Sequence, residues 1–402
     1  MNAPGAPNGG QEHELRASLE RHADSFAQRF GRGGPVRSFF SPGRINLMGA
    51  HLDYNGGPVM PMALDRGTFL ALRPREDDRI TLASTLEAES LSVRLASLPS
   101  AASGRWFDYP LGVIVDLLRD SRSTIGADVL FGGNLPIGAG LSSSASICVG
   151  TAFAIRSLWG APEDPARCIQ AALWGEREWV GVQCGIMDPY AVALSRTGHV
   201  LWLDCKDQSV EHLPLDTEEL VVAVIDSGIR RELAKGDFNR RVEECGEAFV
   251  RLRRRVAGAR VLCDVPASAV EEAAEELGPT LHKRARHVVT ELVRTRAARE
   301  ALLAGDLAAF GRCATEAHHS LRDLFEVSVP ELDCIVESAC ALPGVLGGRL
   351  TGAGFGGCAV VLLRRGAKEG LAEHVQAEFR ARFGRTPEVF FFRGDSGPRE
   401  LA

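Results

Sequence analysis

The stretch from Ala127 to Leu158 constrains the fold more than any other part of this chain. A short apolar run, 127–131, enters a loop holding Gly138 and Gly140. Three serines, Ser142, Ser143 and Ser144, then open a run with helical spacing that reaches Leu158. Glycine lets the backbone approach a ligand closely and adopt torsions other residues avoid. The first amides of a helix have no partner inside it, and an anion such as a triphosphate satisfies them at the positive end of the helix dipole. No lysine follows the last glycine, so the loop is not of the Walker type. A loop of this composition also serves as a plain strand-to-helix turn, and by itself it does not choose between the two uses.

Around it the chain alternates. Helical spacing covers 12–30, 106–119, 164–179, 240–257 and 283–303, and strand-like runs fall at 36–40, 68–73, 79–84, 91–95, 200–204, 220–226 and 358–363. A second Gly-rich stretch, 344–357, reads as a loop. Strands and helices mixed in both halves predict an α+β protein, and 402 residues suit two domains. The polar stretch between 204 and 220 sets the expected boundary, giving domains at 12–215 and 216–402.

Charge and cysteine usage exclude several function classes. A formal charge of -6 offers no phosphate-binding surface for nucleic acid, and the basic run Arg251 to Arg255 reads as the solvated face of a helix. No apolar run approaches the roughly 20 residues of a membrane span, so no membrane partner is expected. Ten cysteines lack CxxC or zinc spacing, and residues 1–10 lack the cationic start and apolar core of an export signal. A cytoplasmic protein is the expectation.

Two further segments are dense in reactive side chains. Residues 41–57 (SPGRINLMGAHLDYNGG) offer Arg44, His51, Asp53 and Tyr54 among four glycines, the mix of donors and acceptors a ring of hydroxyls needs. A polar turn between strands has the same composition. Residues 181–188 (GVQCGIMD) end on Asp188 before Pro189, which fits either a helix-capping carboxylate or a general base. Glu176, with Glu178 close by, fits either a solvated helix face or a metal ligand.

The order of these segments resembles the GHMP kinases, and within them the galactokinase family. Residues 136–145 (PIGAGLSSSA) are similar to that family's ATP loop, which implies nucleotide contacts from Pro136, Gly138, Ala139, Gly140, Leu141, Ser142, Ser143, Ser144 and Ala145. By the same resemblance Ser144 and Glu176 hold Mg2+ beside the phosphates of ATP. Residues 44–57 resemble the signature GRxNLIGEHxDYxGG, implying that His51 and Asp53 hold sugar hydroxyls and that Arg44 is the cation beside the reacting groups. Residues 181–188 resemble GxxCGIMDQ, in which Gly185 lies at the sugar and Asp188 is the catalytic carboxylate. Stretches at 284–289, 320–333 and 349–358 match further family segments, the last of them a loop closing over the site. The implied fold is a ribosomal-protein-S5-like N-terminal domain and a ferredoxin-like C-terminal domain. The implied reaction is ATP-dependent phosphorylation of the anomeric hydroxyl of D-galactose, with sugar and nucleotide as the partners and oligomeric state left open.

The chain also departs from the family pattern. Ala50 stands where galactokinases carry a Glu that reaches the 6-hydroxyl, and Phe238 stands where a Tyr hydroxyl faces the sugar. Ala353 replaces a glycine, and Pro189 follows Asp188 in place of Gln. Losing one neutral hydrogen bond costs on the order of 0.5–1.5 kcal/mol, which an enzyme tolerates. A different group at C6 is the other explanation. A carboxylate there would meet a Glu with a repulsion of about 4 kcal/mol at about 4 Å and an effective dielectric near ~20, and Ala50 removes that penalty. D-galactose remains the expected substrate, with galacturonate and a 6-deoxy sugar as alternatives, because the sequence reveals no cation placed to receive a carboxylate. A silent sugar sensor on the same fold has no need of Asp188, and mevalonate kinase has no ring of hydroxyls for residues 51–57.

Overall fold

The computed structural model describes residues 9–121, 123, 125–136, 140–217, 219–230 and 234–401, with the backbone alone for residues 9–15, 234 and 235. Three sheets organise it. The largest has the strand order Arg399–Leu401, Arg37–Asn46, Pro61–Pro74, Ala127–Gly133, Arg79–Ser84, Leu91–Arg94, and Gly394–Asp395 pairs further along Pro61–Pro74. All neighbours are antiparallel except Arg79–Ser84 beside Ala127–Gly133. The second sheet is antiparallel, in the order Val345–Thr351, Cys358–Arg364, Leu220–Asp226, Glu388–Phe392. A small third sheet joins Pro58–Val59, His199–Asp204 and Val210–Pro214. Residues 394–401 therefore return to the sheet built by the first half of the chain rather than staying with the second.

Apolar faces seat the helices. Gly9–Phe30 lays Phe26 on Ala71, Ala83 and Leu130 of the first sheet. Ser143–Leu158, Asp108–Asp120 and Pro165–Trp174 bury Val149, Ile114 and Ala171 in one core on that sheet. Pro165 sits at the first helical turn after Asp164, whose side chain accepts from the Arg167 amide, a start signal legible in the sequence. The helix Ala274–Leu303 begins nine residues before the expected 283 and bends at Gly278 (φ 69°), ahead of Pro279. Leu277, Ala285 and Val288 from that helix share one core with Ala50, Leu52, Val59 and Leu201 from the first half. That shared core fixes the residue 41–57 segment against the second half.

Two expectations change. The helix expected over 164–179 is α-helical only to Trp174, and Gly175–Trp179 is a π-helical turn, a distortion that often marks a functional site. The Gly-rich stretch 344–357 is not one loop: Val345–Thr351 is a strand paired to Cys358–Arg364. Its glycines serve packing rather than turning, since a Cβ on Gly347 would lie 1.9 Å from the Gly311 carbonyl oxygen of the helix Leu307–Ser320. Arg349 accordingly stands on a buried strand, not on a closing loop.

Candidate active site

The strand Arg37–Asn46 contains a proline, which cannot donate to a ladder and is tolerated at a bulge. The register shifts between Pro42 and Arg44, and the bulge turns Arg44 inward. Gly43 is needed there, because a Cβ would lie 2.5 Å from Leu135 and 2.9 Å from the Leu141 carbonyl oxygen. The Arg44 amide donates to that carbonyl (3.1 Å) and its guanidinium donates to Gly140 (2.9 Å), so the bulge and the phosphate loop hold each other.

Arg44 also forks onto Asp188, with Nε to Oδ1 at 2.7 Å and Nη2 to Oδ2 at 2.8 Å. The Ser142 hydroxyl donates to the same Oδ2. Ser142 has φ 57° and the nearby His51 has φ 60°, both in the left-handed region that non-glycine residues rarely occupy. Strain of this kind persists where surrounding contacts over-determine it, and it clusters at functional sites. Asp188 lies in the first turn of Met187–Leu194, where the helix dipole favours a carboxylate.

One cavity of about 770 Å³ gathers Arg44, Ala50, His51, Asp53, Gly185, Asp188 and Phe238. Asp53 needs Gly185: a Cβ there would sit 2.0 Å from Asp53 Oδ2. Burial, then the neighbouring Asp188, pushes the Asp53 carboxyl up to about 6. His51 is buried, its Nδ1 is 2.9 Å from the Tyr54 hydroxyl, and its ring lies 4.6 Å from Phe325 and 6.0 Å from Phe238. Burial first, then His287 and the charges of Arg349 and Arg241, hold His51 well below its ordinary value, so it is neutral at pH 7. Its Nε2 has no partner among the described residues.

The π turn decides between the two glutamates: Glu176 points inward at 3% exposure while Glu178 is exposed. Burial raises Glu176 to about 7, against the opposing hydrogen bond from Ser144. Among the described residues no three His, Cys, Asp or Glu side chains cluster to hold a metal. A hydroxyl and a buried carboxylate in contact are nonetheless hard oxygen donors of the kind Mg2+ takes when substrate phosphates and water complete its shell. The two residues fit that ion.

The phosphate-loop residues divide. Gly138 and Ala139 lie outside the described residues. Leu141 and Ala145 are buried in the cores, so only their backbone is open to a nucleotide. Ser143 is exposed at the helix start, and Pro136 is half-buried. The sequence reading missed the roles of Arg349, Glu291 and His287. Glu291 Oε1 accepts from the amides of Gly49 (3.3 Å) and Ala50 (3.2 Å), and its Oε2 takes Arg294 at 2.9 Å. Arg349 lines the cavity at 1% exposure. The available signal was a lone arginine in a strand whose partner strand is apolar.

Residues 140–142 of the glycine-bearing loop are thus held to the Arg44–Asp188 pair at the cavity. The family models "GHMP kinases N terminal domain" and "GHMP kinases C terminal" match residues 108–196 and 298–384, and "Galactokinase galactose-binding signature" matches residues 24–74. The galactokinase of Roseiflexus sp. (strain RS-1) is 40% identical over 364 residues, covering 89% of this chain and 91% of that protein. Human (Homo sapiens) galactokinase is 36% identical over 398 residues, covering 97% and 98%. The crystal structure of Lactococcus lactis galactokinase complexed with galactose superposes with a TM-score of 0.90 at 32% identity, covering 96% of this chain and all of that one. A mevalonate kinase structure, at 20% identity and a TM-score of 0.64, shares the fold. The chain belongs to the galactokinase family. It is a sugar kinase, a phosphotransferase of the α+β GHMP fold. No helix among the described residues is long and apolar enough to cross a membrane.

Proposed function

We propose that this enzyme transfers the γ-phosphoryl group of ATP to the anomeric hydroxyl of D-galactose, with Asp188 as the general base. The observation that carries the reading is the bidentate Arg44–Asp188 pair, bound on one side to Gly140 of the phosphate loop and on the other to the sugar-facing cavity. Asp188 accepts the proton of the C1 hydroxyl as its oxygen attacks the γ-phosphorus and the bond to ADP breaks. Arg44 fixes the carboxylate in place, and its charge stabilises the negative charge spread over the transferring group. The unpaired amides and dipole of Ser143–Leu158 receive the phosphates. His51 Nε2 and Asp53 hold ring hydroxyls, with Gly185 leaving room for Asp53. Ser144 and Glu176 would hold Mg2+, which would supply charge neutralisation at the phosphates. All ten thiols are free, which suits action in a reducing cytoplasm.

The test is ADP release with D-galactose and ATP, with and without Mg2+ chelation. Turnover that needs both sugar and metal is expected. Binding of galactose and ATP without release of ADP would refute the reading.

A further inference from the structure

Residues 181–185 run from the π turn Gly175–Trp179 toward the helix Met187–Leu194 without regular structure, and all of them line the cavity while none is buried. A segment with so few buried anchors holds one conformation only where polar contacts fix it. The π turn supplies those contacts. The Val182 amide donates to the Glu176 carbonyl oxygen at 2.8 Å, and the Cys184 thiol lies 3.8 Å from Glu176 Oε2. Arg177 donates from both Nε (3.0 Å) and Nη2 (2.7 Å) to the Cys184 carbonyl oxygen.

The Arg177 contact fixes one particular peptide plane. The Cys184 carbonyl and the Gly185 amide belong to the same planar unit, so two donors on that oxygen also set the direction of the Gly185 N–H and the place of its Cα. Gly185 is the residue that Asp53 packs against, at a distance so short that a Cβ would lie 2.0 Å from Asp53 Oδ2. Rotation of that plane therefore moves backbone against the carboxylate or away from it. A guanidinium suits the task, because its rigid fork and its charge give a carbonyl a stronger and better-defined partner than a neutral donor does. Asp188, three residues further on, has anchors of its own in the Arg44 fork and the Ser142 hydroxyl.

We infer that Arg177 is a positioning residue for the sugar: by holding the Cys184–Gly185 peptide it keeps Gly185 and Asp53 in the arrangement that receives the ring hydroxyls. The inference rests on the proposed role of Asp53 as a sugar ligand in the same site. Arg177 does not line the cavity and acts only through the peptide it holds. Without the fork the plane turns among several orientations, and sugar affinity falls by the fraction of time spent in the competent one. Because Asp188 keeps its own anchors, the loss falls on sugar binding and not on the chemical step.

The test measures KM and kcat for D-galactose, and KM for ATP, on the wild-type enzyme, Arg177→Met and Arg177→Lys. Arg177→Met removes the donors at a half-buried position while keeping an unbranched side chain. Its KM for galactose is expected to rise about tenfold or more, the order of effect when a hydrogen bond from a charged group is lost. Its kcat should change by less than about threefold and its KM for ATP by less than about twofold, the pattern of lost ground-state binding. Arg177→Lys restores a charged donor without the fork, so its galactose KM should fall between those of wild type and Arg177→Met. If Arg177→Met does not fold, Arg177→Lys decides, with a galactose KM raised about threefold or more expected and a wild-type value overturning the inference. A galactose KM within about twofold of wild type for a folded Arg177→Met overturns the inference and leaves the proposed reaction standing. So does a fall in kcat as large as the rise in KM, since the contact would then position the base, and so does an Arg177→Lys variant no better than Arg177→Met. Absence of galactose turnover by the wild-type enzyme overturns the proposed reaction and this inference together.

Discussion

Replacing Asp188 by asparagine keeps the side chain's shape while removing its charge and its capacity to take a proton. The wild-type carboxylate receives two bonds from Arg44, at 2.7 and 2.8 Å, and one from Ser142. An amide has one oxygen, so its NH2 group would face one guanidinium N–H, donor against donor. Arg44 has a side-chain exposure of 7%, which leaves that lost partner poorly replaced by water; Asp188, at 27%, is wetter. The stability cost should therefore fall near the lower end of the about 3–5 kcal/mol seen for broken buried pairs. The catalytic loss is separate. Positioned proton transfer contributes about 10²–10⁴-fold, so kcat should fall by about 10³, or ~4 kcal/mol of barrier. Initial rates of ADP release measure the catalytic loss, and titration with ATP in the absence of sugar should show nucleotide affinity largely kept. Arg44→Met should be similarly severe, and the double variant should be little worse than the more severe single one if the pair acts as a unit. A kcat within tenfold of wild type for Asp188→Asn would refute the assignment of the base.

Gly185→Ala should raise the KM for galactose by about tenfold or more with a smaller change in kcat, because the new Cβ would lie 2.0 Å from Asp53 Oδ2 and must displace it; steady-state kinetics decide, and an unchanged KM would count against Asp53 as a sugar ligand. Asp53 itself gives a pH signature. Its carboxyl is raised from 3.8 to about 6 by burial and then by Asp188, so the folded state keeps a proton that the unfolded chain has released. Its contribution to stability is greatest below about pH 4 and is lost as pH rises to about 6. Asp53→Asn should flatten that part of the stability-against-pH curve in denaturant titrations, and an identical slope in the variant would contradict the raised carboxyl.

The sequence by itself determined the local chemistry. A short apolar strand, two glycines and three serines before a helical run specify a strand-to-helix turn able to take an anion, because torsional freedom and unpaired helix amides are properties of neighbouring residues. The segments at 41–57 and 181–188 carried the family resemblance for the same reason: Arg44 sits at a strand bulge that needs Gly43, and Asp188 follows Gly185 into the first turn of a helix. Where sequence reading failed, the decision lay between segments. Glycines at 347 and 348 looked like a loop, yet Gly347 makes room for the backbone of a helix some thirty-six residues earlier in the chain. Glu176 and Glu178 were equivalent by composition, and only the π turn buried the first and exposed the second.

The same holds for the site as a whole. Arg44 meets Asp188 across 144 residues, and Glu291 reaches the Ala50 amide across 241. The second contact follows from the core shared by the two halves, and the first from a strand bulge meeting the helix Met187–Leu194; neither is a local propensity. Arg349 lines the same cavity from a buried strand, and its Nε and Nη1 have no partner among the described residues. Sequence supplied the reacting groups, but that Arg44 of a first-half strand and the buried Arg349 of a second-half strand line one cavity follows only from packing.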